Sequence, residues 1–69
     1  MDEVVERFNR LKRANPHTGN VLILAQIVSE HSLTKRQIKK YLHLLCRKDY
    51  DYFEDEKGLI DFLYSFSKK

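Results

Sequence analysis

Tyr50-Asp51-Tyr52-Phe53-Glu54-Asp55-Glu56-Lys57-Gly58-Leu59-Ile60-Asp61-Phe62-Leu63-Tyr64-Ser65-Phe66 decides the fold, because it reads two ways. Tyr50 and Tyr52 alternate with Asp51, and Ile60, Phe62, Tyr64 and Phe66 alternate with Asp61, Leu63 and Ser65. Period two with many aromatics predicts two strands. Glu54 to Gly58 is polar and holds a glycine, as a hairpin loop does. The competing reading is a helix from Asp55 to Ser67, with Leu59, Phe62, Leu63 and Phe66 facing inward. The hairpin is preferred. It makes the chain an α+β domain of three helices and a C-terminal β-hairpin; the helix reading makes it an all-α four-helix domain.

Upstream of this stretch, Leu33 to Lys48 reads as one helix with a marked start. Thr34 can cap it, and Gln37 can reach back to the Thr34 amide, which is a capping box; Leu33 and Ile38 are placed for a hydrophobic staple. Ile38, Tyr41, Leu42 and Leu45 recur at helical spacing and form an apolar face. Arg36, Lys39, Lys40, His43 and Arg47 fall opposite. Residues 34–48 carry six Lys or Arg and no Asp or Glu. The helix therefore forgoes the i,i+4 ion pairs of an ordinary solvated helix, and Lys35 and Arg36 sit in its first turn, where the dipole disfavours cations. That pattern predicts an external polyanion, for which DNA is suited. The bland reading of any charge run is a solvated face.

The remaining chain reads as two more helices. Asp2 to Ala14 has Val4, Phe8 and Leu11 at i, i+4, i+7, and Asp2 and Glu3 suit its positive end. Arg10, Lys12 and Arg13 near its end complement the dipole and are second-rank candidates for phosphate contact. Asn15 to Asn20, with Pro16 and Gly19, is a break. Val21 to Glu30 is too apolar for pattern alone to separate helix from buried strand; Ala25 and Gln26 favour helix, with Thr18 or Asn20 as cap. Being apolar nearly all round, it should be the most buried element.

Three helices and a hairpin resemble a winged helix-turn-helix DNA-binding domain. Ala25 to Leu45 is similar to that family's second helix, turn and recognition helix, with Ala25 at the close helix approach and Ile38 and Leu42 as anchors. Tyr50 to Phe66 resembles the wing. The turn is longer than in compact members and lacks their glycine. The wing is acidic, so it is assigned no DNA contact. The resemblance implies that the third helix enters the major groove. Lys35, Arg36 and Lys39 would then lie where bases and phosphates meet, Arg36 being suited to guanine O6 and N7. Lys40, His43 and Arg47 would follow the backbone. The function expected is a small regulator of transcription or replication that binds duplex DNA.

Composition bounds these readings. Sixty-nine residues make one domain, spanning 1–69, and a chain so short buries only about 60% of its unfolded surface. Small domains without staples often lean on partners, which leaves a homodimer open. The net charge is +3, but it is segregated: residues 49–61 hold six acids and one Lys. That acidic segment motivates a second class of function, a protein-interaction module such as an inhibitor or adaptor. The chain starts Met-Asp-Glu without a secretory pattern, and its longest apolar run, Val21 to Ala25, cannot span a bilayer. The expected setting is cytoplasmic, in a nucleoid or nucleus where DNA is bound, with no membrane partner.

Other chemistry is sparse. His43 and Cys46 are three apart, with only His17 and His31 to complete a zinc site, so no metal is expected; Cys46 suits a half-buried place at the edge of the apolar face. A calcium loop from Asp49 fails on spacing, with Glu54 where glycine is needed and Ile60 in place of the bidentate Glu. No nucleophile-base set or Gly-rich phosphate loop appears, so neither an enzyme nor a cofactor is expected. The C-terminal aromatics suit packing first and stacking on single-stranded bases second.

Overall fold

The computed structural model describes residues 2–47 and 55–67. They form four helices, α1 (Glu3–Ala14), α2 (Asn20–His31), α3 (Lys35–Leu45) and α4 (Glu56–Tyr64), and a closing 3-10 turn, Ser65–Ser67. Among the described residues there is no strand, so the fold is all-α and the α+β expectation is overturned. Tyr50 to Glu54, the first arm of the expected hairpin, lies outside the described residues. The second arm, Ile60 to Phe66, is helical, so the wing of the winged-helix reading is absent from it.

Asp55 and the burial pattern explain that correction. Asp55 caps α4, its Oδ1 accepting from the Gly58 N–H at 3.0 Å, so Asp55 to Gly58, expected within a hairpin loop, form a helix start. A Cβ on Gly58 would fall 2.5 Å from Asp55 Oδ2, so the glycine makes room for the cap. Leu59 and Leu63 then lie at i, i+4 and are buried in the core. A helix satisfies its own backbone, whereas a lone two-stranded hairpin is marginal. The inward set read for this helix also needs correcting: Phe62 and Phe66 are exposed and stack edge to face, with centroids 5.2 Å apart.

The central element is α2. Ile23, Leu24, Ala25, Ile27 and Val28 are all buried, leaving Leu22, Gln26 and Glu30 as its exposed strip. The other three helices and the 3-10 turn pack around it. Its cap is Gly19 in extended conformation rather than Thr18 or Asn20, and no side chain bonds there. It ends at Ser32, which adopts the left-handed conformation (φ 51°, ψ 52°) while its N–H donates to Val28 O at 2.8 Å. Ser32 thus does without glycine what a helix-ending glycine usually does.

The flanking helices are amphipathic. α1 starts on Asp2, whose Oδ1 accepts from Val4 N–H at 2.9 Å, and buries Val4, Phe8 and Leu11. It ends at Asn15, whose backbone and side-chain amides both donate to Leu11 O. The capping box of α3 forms: Thr34 N–H donates to Gln37 Oε1 at 2.9 Å, and Gln37 N–H to Thr34 Oγ1 at 3.2 Å. Leu33 and Ile38 both join the core. α3 stops at Leu45, short of the expected Lys48, because Cys46 turns out of helical geometry (φ −113°, ψ 26°). Cys46 is fully buried, not half-buried at an edge. No described helix is long and apolar enough to cross a membrane.

Candidate nucleic-acid interface

The exposed side of α3 holds Lys35, Arg36, Lys39, Lys40 and His43, every one of them at the surface. Ile38, Tyr41 and Leu42 are buried beneath them. Arg36 and Lys40 are one turn apart on the ridge farthest from the core, about 6 Å in rise. Arg47 is also exposed, but it lies past the Cys46 cap, so helical periodicity does not align it with that ridge.

Two of these side chains are held by α4. Lys35 Nζ is 3.0 Å from Asp61 Oδ1 and 5.3 Å from the centroid of the Tyr64 ring. His43 Nε2 is 2.9 Å from Glu56 Oε1. The carboxylates thought to belong to a separate acidic hairpin therefore stand beside the basic helix. Lys35 in the first turn, expected to call for an external anion, finds its countercharge inside the chain. Arg36, Lys39, Lys40 and Arg47 form no ion pair with any described residue; Lys40 lies over the Tyr41 ring at 5.3 Å.

α3 is anchored to the start of α1. The Tyr41 hydroxyl donates to Asp2 Oδ2 at 2.6 Å. That bond, together with burial, pushes the phenol up to about 12. It also holds the Asp2 carboxyl below its usual range, against an opposing effect of desolvation. Asp2 so caps one helix and pins another.

Two of the four cations of α1 are committed elsewhere. Arg7 forks onto Glu30 of α2, with Nε to Oε1 at 3.0 Å and Nη2 to Oε2 at 2.9 Å. This bond raises Arg7 and lowers Glu30 from their ordinary values. Lys12 Nζ donates to Thr18 O at 2.9 Å and closes the α1–α2 turn. Arg10 lines an open groove with Glu3, Glu6, Arg7 and His31, and Arg13 is exposed. His43 and Cys46, weighed as a metal pair, are separated by burial: the first is at the surface and the second in the core.

Of the face read from the sequence, Arg36, Lys39, Lys40 and His43 share the exposed side of α3 with Lys35, and Arg47 lies past the Cys46 cap. Sequence reasoning missed the pairs Lys35–Asp61, His43–Glu56, Asp2–Tyr41 and Arg7–Glu30, all between helices. Only the last two kinds of signal, an acidic cap and an arginine facing an exposed Glu, existed in the residues, and neither specifies its partner. Compared with known proteins, the chain matches no family model, no curated protein and no solved structure.

Proposed function

We propose that this domain binds duplex DNA through α3, with α2 and α3 acting as a helix-turn-helix pair. Arg36, Lys39 and Lys40 contact phosphates or base edges, and Arg47 adds a phosphate contact beyond the helix. The observation that carries the reading is selective pairing. Among the described residues, Lys35 and His43 beside α4 have carboxylate partners, whereas Arg36, Lys39, Lys40 and Arg47 are exposed and form no ion pair, Lys40 standing only within electrostatic reach of Asp2. An exposed cationic surface of that kind attracts a polyanion and releases its counterions. The role fits a regulator of transcription or replication, in the cytoplasm or nucleus with the DNA.

Binding to mixed-sequence duplex should weaken steeply with salt. Arg36→Ala and Lys40→Ala should each reduce the slope of log K against log salt by about one. No binding to any duplex at low salt removes the proposal, and a clear preference for single strands redirects it.

A second reading has its own observation. Phe62 and Phe66, edge to face and exposed, give a small apolar patch beside the acids of α4. A protein-interaction module would use that patch, with the acids as its rim. A stoichiometric partner that survives nuclease treatment and is lost with Phe62→Ala would favour this over DNA; sedimentation would show whether the partner is a second copy.

A further inference from the structure

Lys35 occupies the place on α3 that the helix dipole disfavours most, and α4 supplies what compensates it. Asp61 and Tyr64 are three apart on α4 and so share a face. Together they offer Lys35 a carboxylate at 3.0 Å and an aromatic ring at 5.3 Å. The Lys35 and Asp61 side chains are 57% and 50% exposed, so water screens the pair and both groups stand where an arriving polyanion would meet them. A phosphate arriving at Lys35 meets Asp61 within reach of the same ammonium, and like charges that close repel.

We infer that Asp61 is a specificity-determining residue that withholds Lys35 from phosphate and steers a polyanion off the α4 side of α3. The inference rests on the DNA-binding reading above. It gives the interface an edge: Arg36, Lys39 and Lys40 belong to the footprint, and Lys35 does not. The bare face is narrower than the count of basic residues in α3 implies, and it is bounded by the chain's own carboxylate.

The test is binding to a mixed-sequence duplex across a salt series. Four proteins are compared: wild type, Asp61→Asn, Lys35→Gln, and the Asp61→Asn, Lys35→Gln double variant. Glu6→Gln on α1 is the control for a simple gain of one positive charge. Asp61→Asn should bind more tightly and steepen the salt slope by about 0.9, one further phosphate contact. Glu6→Gln should leave the slope unchanged, and the gain should vanish when Lys35 is Gln. An unchanged slope in Asp61→Asn, or a gain that persists without Lys35, overturns the inference while wild-type binding leaves the DNA reading standing. Binding by Asp61→Asn but not by wild type overturns both, because the native chain then has no duplex footprint for Asp61 to bound. No binding by either overturns both. Melting curves by circular dichroism confirm that each variant is folded.

Discussion

At the scale of single residues, Tyr41 and Asp2 form the contact with the clearest signature in pH. The phenol is pushed up to about 12 from an ordinary 10.0, so its contribution is full below pH 10 and is lost as pH rises through about 12. Ultraviolet titration should show one tyrosine ionising near pH 12, and Asp2→Asn should return it toward 10. The carboxylates behave oppositely. Asp2 and Glu30 are both lowered from their ordinary 3.8 and 4.5. Their contributions are present above those values and lost as pH falls through the lower, folded ones. Both groups tie α1 to the rest of the molecule. Acid should therefore loosen α1 first, seen as amide signals of Val4 to Leu11 shifting before those of α2. Neither contact was legible in the sequence, since bonds across 39 and 23 positions leave no local pattern.

At the scale of elements, residues 55–67 show how a period of two can mislead. Ile60, Phe62, Tyr64 and Phe66 satisfy strand alternation, and Leu59 with Leu63 satisfies a helix equally well. The arbiter was Asp55, a cap residue followed by Glu56 in the first turn, which is a helix-start signal. The two readings disagree about which side chain is inside. In the helix Leu63 is fully buried and Phe62 is 51% exposed; in a hairpin the two would face opposite ways with Phe62 inward. Leu63→Ala should cost about 2–5 kcal/mol by denaturant unfolding, and Phe62→Ala far less. Gly58 and Asp55 give a second check. Asp55→Ala should cost about 1 kcal/mol. Gly58→Ala should be nearly neutral, because the helix gain of roughly 0.5–1 kcal/mol is offset by displacing the cap. With Asp55 already Ala, the same change should stabilise, so the two substitutions are not additive. α3 was far more legible, because Thr34 and Gln37 lie close enough in sequence to specify each other. Its end was not: Cys46 is pulled out of the helix by burial, and no glycine or proline marks the place.

At the scale of the whole molecule, stability rests on a few side chains. A domain of this length has roughly 3–10 kcal/mol to lose. Leu24, Ile27, Ile38 and Leu42 are fully buried, and Leu→Ala at 24 or 42 should cost about 2–5 kcal/mol each, enough to leave much of the protein unfolded at 37 °C in a thermal melt. The sequence showed that Val21 to Glu30 would be the innermost element, because a helix apolar on nearly every side has no other place to go. It did not show what would cover that helix. The acids of α4 likewise looked like a second surface and proved to be the fence along one side of the first.

The enclosure of α2 also bears on how the chain is made. A ribosome delivers α1, α2 and α3 before α4 and the turn at Ser65–Ser67, both of which pack on α2. Until those last residues emerge, a flank of Ile, Leu and Val remains open to water and to other nascent chains. Any substitution that delays α4 lengthens the interval in which translation exposes its greasiest helix.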